Sequence, residues 1–369
     1  MKIEDIQIKH IFTSNYKKSI EIEMKTRKGN VRSSVPVIGN GIYKNRQLSP
    51  DDAIKKFLDI KRHFLNNDFS DMQEVDTFIK SIDKSTDFRE IGGNLAFGIS
   101  SAFVKALAKY RDMKVYEYIS SGKQNFPSPL AIITNRQKSQ TDFQEYMLYP
   151  VQQKSFEDSI RKLLSIYESS NEKFQKEKNL TMSKIFRTLS DFTTSQSLQI
   201  GFTVRATDLW NTRRYTYSTG ENLTPQEQIL FMQDVISNYP IGYIEDPFHE
   251  EDFVLHSTLT HRLPTRIVAG NNLYSNNKER IKNGFELKAT SGIVLTPSEM
   301  GTITDFLNIV KEAKKNKMSV TVASPENDTN DFLPCHLAVG TGCQNIKIDL
   351  GQNQSGRINE LFAIEKKLS

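Results

Sequence analysis

From Pro127 onward the chain alternates short apolar segments with helix-like ones, and this rhythm constrains the fold more than any single motif. Residues 130–134 (LAIIT), 145–149 (EYMLY), 198–204 (LQIGFTV), 241–245 (IGYIE), 266–270 (RIVAG), 292–296 (GIVLT), 319–324 (SVTVAS) and 345–349 (NIKID) read as strands. Helical stretches follow most of them, over 156–170, 225–237, 277–283, 299–316, 331–339 and 357–368. Short strands separated by helices are the signature of a parallel sheet, and this many units favour closure into a barrel over an open sheet. Functional residues then belong at the carboxyl ends of the strands. The polar, weakly periodic stretch 171–195 reads either as a helix continuation or as an excursion.

The first part of the chain has a different rhythm. Between Lys2 and Pro36, the segments IQIKHIF, SIEIEMKT and VRSSVPV alternate as a three-stranded antiparallel meander, with Lys28-Gly29 as a turn. Pro50-Asp51-Asp52 opens a helix running to about Leu65, with Ser49 as its N-cap. Residues 95–109 form a strongly apolar helix in which Gly98, Ser100 and Ser101 imply close packing against a neighbour. Sheet first and helices second indicate an α+β domain. The expected architecture is therefore an α/β protein, with an N-terminal α+β domain over 1–125 followed by a barrel over 126–369.

Composition narrows the function classes. An apolar fraction of 37% with 25% charged residues describes a soluble globular chain. No apolar run approaches the roughly 20 residues of a membrane span. The opening MKIEDIQIKH lacks the apolar stretch of a signal peptide, so a cytoplasmic protein with no membrane partner is expected. The net charge of +5 comes from Lys and Arg interspersed with acids, which gives nucleic-acid binding no support. Cys335 and Cys343 are too few for a disulfide framework or a zinc site and read as buried thiols.

The segment 239–253 (YPIGYIEDPFHEEDF) carries the first candidate site. Pro240 and Pro247 bracket the apolar run 241–244, which places Glu245 at the carboxyl end of a strand. An acid there is a better ligand candidate than one on a helix surface. The competing reading is that Glu245 and Asp246 cap a helix starting near Glu250, and spacing alone favours neither.

The order of motifs then meets a known family. VRSSVPV and GNGIYKN within 31–45, 91–119 (IGGNLAFGISSAFVKALAKYRDMKVYEYI), FQEYMLYP (143–150), YPIGYIEDPFHEEDF, RIVAGNNL followed by KERI, MGTITD (300–305) and 345–368 (NIKIDLGQNQSGRINELFAIEKKL) run in order along the chain. Together they resemble enolase from end to end. The resemblance implies an N-terminal α+β domain on an (α/β)₈ barrel whose first strands are antiparallel. It also implies interconversion of 2-phosphoglycerate and phosphoenolpyruvate, with Mg²⁺ held by three carboxylates and a lysine as base.

Carried onto this chain, that chemistry is incomplete. Glu245 matches one metal carboxylate, whereas Thr203 and Asn271, followed by Asn272, stand where the other two are expected. Thr296, followed by Pro297, occupies the place of the base lysine, and Ser324, Pro325 and Glu326 replace a histidine-arginine-serine run that holds substrate. Lys347 matches a second active-site lysine and Glu145 the glutamate of the family's glutamine-glutamate motif. The loop Val37-Ile38-Gly39-Asn40 lacks the family's serine, and 135–142 (NRQKSQTD) lacks its histidine. The glycine-rich segment with a further catalytic glutamate is unrecognisable between Asn179 and Gln196. None of the six histidines falls at a catalytic position, and His249 reads as a helix-start residue. Simpler roles also exist: Lys347 as the ion-pair partner of Glu245, and Glu145 as a strand-end acid bonded to backbone.

Scaffold motifs persist while the residues expected to touch substrate do not. The expectation is an enolase-fold pseudoenzyme with a binding or assembly role, in which Mg²⁺ binding is weak or absent. The alternatives are a phosphopyruvate hydratase retained with an altered site, or a repurposed lyase. In the latter, Glu145, Glu245 and Lys347 would act with Lys288, Glu326 or Asp328 on another small organic acid. The family's habit of pairing implies a homodimer, or a heterodimer with a true enolase.

Overall fold

The computed structural model describes all residues except 40, 121, 123, 124, 178, 179, 352, 353 and 369, and the side chains of 138 and 194–196. Asn40 and Asn179, named above in two loop readings, lie outside the described residues. In the N-terminal region, β1 (Asp5–Phe12), β2 (Lys18–Thr26) and β3 (Gly29–Ser34) form an antiparallel sheet in sequential order. Gly29 turns the chain between β2 and β3 at φ +104°, a conformation that a side chain would resist. Alternation buries Ile20, Ile22 and Met24 on one face of β2.

Helices α1 (Pro50–Leu65), α2 (Met72–Ile82), α3 (Gly93–Tyr110) and α4 (Val115–Ile119) follow. Ser49 caps α1 by accepting the Asp52 N–H, with Pro50 in the first turn. The α3 helix is buried along most of its length, and a Cβ on Gly98 would lie 2.9 Å from Val35 Cγ2. The helix therefore meets the sheet at backbone distance, as its small residues foretell.

The rest of the chain forms the barrel and its surrounding helices. In chain order these are β4 (Ser128–Asn135), α5 (Arg136–Ser139), β5 (Glu145–Pro150), α6 (Phe156–Lys176), α7 (Met182–Gln196) and β6 (Leu198–Thr203). A two-stranded ribbon, β7 (Tyr215–Thr216) and β8 (Asn222–Leu223), precedes α8 (Pro225–Asn238). Then come β9 (Ile241–Glu245), α9 (Phe253–Arg262), β10 (Ile267–Gly270), α10 (Lys278–Glu286) and β11 (Gly292–Leu295). The chain finishes with α11 (Ile303–Lys315), β12 (Ser319–Val322), α12 (Leu333–Thr341), β13 (Asn345–Asp349) and α13 (Ser355–Leu368). The barrel closes in the order β10-β11-β12-β13-β4-β5-β6-β9. Only β5 runs against its neighbours.

Two details differ from the sequence reading. The undecided stretch 171–195 is helical in two pieces: α6 continues to Lys176 and α7 begins at Met182, capped by Thr181. The helix expected from Glu299 begins instead at Ile303, because Gly301 at φ +82° breaks the chain's path and Thr302 caps the new start. Both cysteines are fully buried, and among the described residues no helix is long and apolar enough to cross a membrane.

The two-residue period of the strands positions the site. Leu130, Ile132, Met147, Tyr243, Ala269, Val294 and Ala323 point inward and form one buried cluster inside the barrel. Continuing that parity to the mouth gives Thr203, Glu245, Asn271, Thr296 and Lys347. Because β5 is reversed, its first residue, Glu145, arrives at the same level. Gly242 absorbs a register shift between β6 and β9, where a Cβ would sit 2.1 Å from Tyr149 Oη.

One apolar cluster continues from α1, α2 and α3 into α11 and α12, joining the N-terminal region to the barrel. Partly buried polar bonds fix the contact. Lys105 Nζ lies 2.5 Å from Asp331 Oδ2, and Asp331 also accepts the backbone N–H groups of Ser34 and Leu333. Burial would raise the Asp331 pKa, but Lys105 and these N–H groups outweigh it and hold it below the usual value. A lowered carboxylate pKa contributes stability above the unfolded value of about 3.9 and loses it as pH falls through the folded value. Asp331→Asn is therefore expected to cost about 3 kcal/mol at pH 7 in urea unfolding, with the difference from wild type shrinking below about pH 4. An undiminished difference at pH 3 would refute the ion-pair assignment.

Candidate active site

Strand register brings three charged side chains together at the barrel mouth. Glu145 pairs across from Thr203, and Thr203 across from Glu245, while Lys347 reaches over from β13. Lys347 Nζ donates to Glu145 Oε2 at 2.8 Å and to Glu245 Oε2 at 2.7 Å. Thr203 Oγ1 donates to the same Glu145 oxygen at 2.9 Å. On Glu245, Tyr243 Oη donates to Oε2 at 3.2 Å and Asn271 Nδ2 to Oε1 at 3.0 Å. Burial works against the Lys347 ammonium, but the two carboxylates outweigh it and raise its pKa above the ordinary lysine value. At neutral pH the group is a protonated donor with no lone pair for a base.

Asp246 does different work. Held at φ 48°, it accepts the backbone N–H groups of Asn271 at 2.9 Å and Asn272 at 2.8 Å. Burial first, and the Glu245 charge second, push its pKa up to about 7 against those bonds. The carboxylate thus shapes the turn after β10. Neither acid caps the following helix, since Asp252 caps α9 by accepting the Leu255 N–H. The capping alternative for Glu245 and Asp246 is thereby excluded.

Around these groups lies a cavity of about 360 Å³, lined by strand ends, their loops and the N-terminal segment at Val37, Gly39 and Lys44. Thr296 lines it while 5% exposed. Its N–H donates to Asn276 Oδ1 at 3.1 Å, and its hydroxyl has no partner among the described residues. Ser324 Oγ accepts from Arg357, which also pairs with Asp328. Asp328 therefore faces α13, beside a smaller crevice. Glu326 borders the main cavity and takes a 3.3 Å bond from Gln137 Nε2. Lys288 is exposed and precedes β11, at the opposite end of the barrel, so it cannot act with the mouth residues.

The segment around the cavity rim is tied down at several points. Val37 N–H donates to the Asn327 carbonyl, Lys44 pairs with Glu299 at 2.8 Å, and Asn277 Nδ2 donates to the Tyr43 carbonyl. Arg280 stacks over the Tyr43 ring at 4.0 Å. Residues 182–196 form α7 on the outer wall, where Ile185, Phe186 and Leu189 pack against the β6 side of the barrel. His249 lies in the turn before α9, with its Nδ1 accepting the Glu251 N–H. It is not the start of that helix.

The fit of a divalent ion can be tested on these contacts. Mg²⁺ demands near-octahedral oxygen donors at about 2.0–2.1 Å. Both Glu245 oxygens already accept hydrogen bonds, Asn271 presents its amide nitrogen, and Thr203 is turned to Glu145. The Lys347 ammonium lies between the two carboxylates that would otherwise share a cation. Among the described residues no group of three or more His, Cys, Asp or Glu is disposed to hold a metal. As arranged, this donor set does not fit Mg²⁺.

The structure brings together Glu145, Thr203, Glu245, Asn271 and Lys347, all named from sequence. The partners of Glu145 are side chains, which replaces the expected bond to backbone. Sequence reasoning missed Tyr243 and the Lys44–Glu299 pair. Tyr243 was signalled by its two-residue spacing from Glu245 on one strand. Lys44 and Glu299 are 255 residues apart and carried no local signal.

Comparison with known proteins closes the identification. Residues 178–369 match the family model "Enolase, C-terminal TIM barrel domain", and residues 3–119 match "Enolase, N-terminal domain". A protein named Enolase from Archaeoglobus fulgidus is 28% identical over 392 aligned positions, covering 99% of this chain and 98% of its own. Its counterpart from Methanosphaera stadtmanae is 27% identical, covering 99% and 97%. One from Ehrlichia ruminantium is 27% identical, covering 81% and 77%. With both parts matched over a barrel of this strand order, the chain belongs to the enolase family.

Proposed function

We propose that this member of the enolase family is a pseudo-enolase, retained for binding or assembly in the cytoplasm and without ordinary hydratase activity. Its α+β domain, 1–125, would serve with the barrel, 126–369, as a scaffold. The observation that carries the reading is the closed clamp of Lys347 between Glu145 and Glu245. Removing a weakly acidic proton beside a carboxylate needs a base with a pKa near the working pH and a cation for the developing charge. Lys347 is held protonated, and Thr296 stands where the base is expected, with no activating partner among the described residues. Thr203 and Asn271 add no negative charge for Mg²⁺, so its binding would be weak or absent.

A retained phosphopyruvate hydratase is favoured by the near full-length match to proteins named enolase. A repurposed lyase would draw on Glu145, Glu245, Lys347 and Glu326 around the same cavity, acting on a small organic acid. Family habit alone supports a homodimer or a pairing with a true enolase.

A coupled assay for phosphoenolpyruvate at millimolar Mg²⁺ separates these readings. Turnover is expected about 10³-fold or more below an ordinary enolase, in line with the loss of a general base. Calorimetry at the same concentrations should show no saturable Mg²⁺ binding. Ordinary rates, or tight metal binding, would overturn the proposal. Lys347→Met should also lower stability by about 3–5 kcal/mol, because it leaves two acids facing each other with their cation removed. Unchanged unfolding would deny Lys347 its structural role.

A further inference from the structure

We infer that the barrel-mouth cavity binds a small organic cation carrying a primary ammonium group, in place of a phosphorylated acid. The inference rests on the non-catalytic reading above and names the ligand class of that same site. Its first support is the charge of the lining. Glu145, Glu245, Asp246, Glu299, Glu326 and Asp349 border the cavity, against Lys44, Arg205 and Lys347. Even with Asp246 only partly ionised near neutral pH, the acids of the lining outnumber its cations.

The two lysines are firmly engaged, and Arg205 is half-exposed beside an acid. Lys347 is held by two carboxylates at 2.7 and 2.8 Å, Lys44 by Glu299 at 2.8 Å, and Arg205 faces Asp208 at 3.5 Å. A phosphate needs free cations or free N–H groups. Three N–H groups at the mouth are also taken: Asp246 accepts those of Asn271 and Asn272, and Asn276 accepts that of Thr296. An incoming anion would face carboxylates and find both lysines and these N–H groups occupied.

What remains open in the cavity is accepting capacity. Glu145 uses only Oε2, for Lys347 and Thr203, so Oε1 has no partner among the described residues. The hydroxyl of Thr296, a residue 95% buried by its 5% exposure, has none either. An ammonium offers three donors with the charge that matches this lining. The volume of about 360 Å³ lies in the range of small-molecule sites. Carboxylates at short range offset the desolvation of such a cation.

The test is calorimetric titration of the full chain with 1,4-diaminobutane, and separately with 2-phosphoglycerate and inorganic phosphate. Saturable binding of the diamine is expected, weakening as salt is raised. Glu145→Gln should weaken it about tenfold or more through loss of a charge-assisted bond. Thr296→Val, close to isosteric, should weaken it less and serves as the second variant if Glu145→Gln does not fold. Binding of either phosphate species without the diamine overturns the inference, as does diamine binding unchanged in both variants. Phosphoenolpyruvate turnover would defeat the pseudo-enolase reading, whereas absence of both turnover and diamine binding defeats the ligand class alone.

Discussion

Placing the Lys347 ammonium inside the barrel is unfavourable unless anions from other strands meet it, and the barrel supplies Glu145 from β5 and Glu245 from β9. This requirement ties β13 to β5, one strand beyond its neighbour β4, and to β9 on the far side of the ring. It also gives the reversed direction of β5 a physical role, because only a strand entering from the mouth can present its first residue there. Thr203 on the intervening β6 is then too close to Glu145 to remain independent and becomes its donor. One buried charge thus organises side chains from four strands.

The elements that make the fold are largely separate from the residues that make the mouth. Inward-facing Leu130, Met147, Tyr243 and Val294 fill the barrel below the clamp, while the apolar cluster of α3 and α11 lies outside it. Asp331 and Lys105 join the two regions through contacts remote from the cavity. A family scaffold can therefore persist while the chemistry at its mouth changes, because different residues stabilise each.

The sequence disclosed most clearly what depends on local period. The eight barrel strands were legible because apolar residues recur over four to six positions between turn signals. The position of Glu245 followed from two prolines, and its contact with Lys347 from the cost of a lone buried acid. The start of α11 was misplaced because a single left-handed Gly301 overrides helical periodicity. Lys288 was placed with the mouth residues because chain order does not tell which end of a barrel a loop occupies. Of the two readings of Glu145, the backbone-bonded one fails, since its partner Lys347 lies 202 residues away, beyond any local signal.

The rim segment carries a further consequence. Val37, Tyr43 and Lys44 are bonded to the loops after β10, β11 and β12, and Arg280 covers the Tyr43 ring. Opening the mouth on that side means breaking these bonds together, not swinging one loop on a hinge. The opposite rim, beside Gln137 and Arg205, is tied mainly by side chains: Gln137 donates to Glu326, and Arg136 pairs with Asp208.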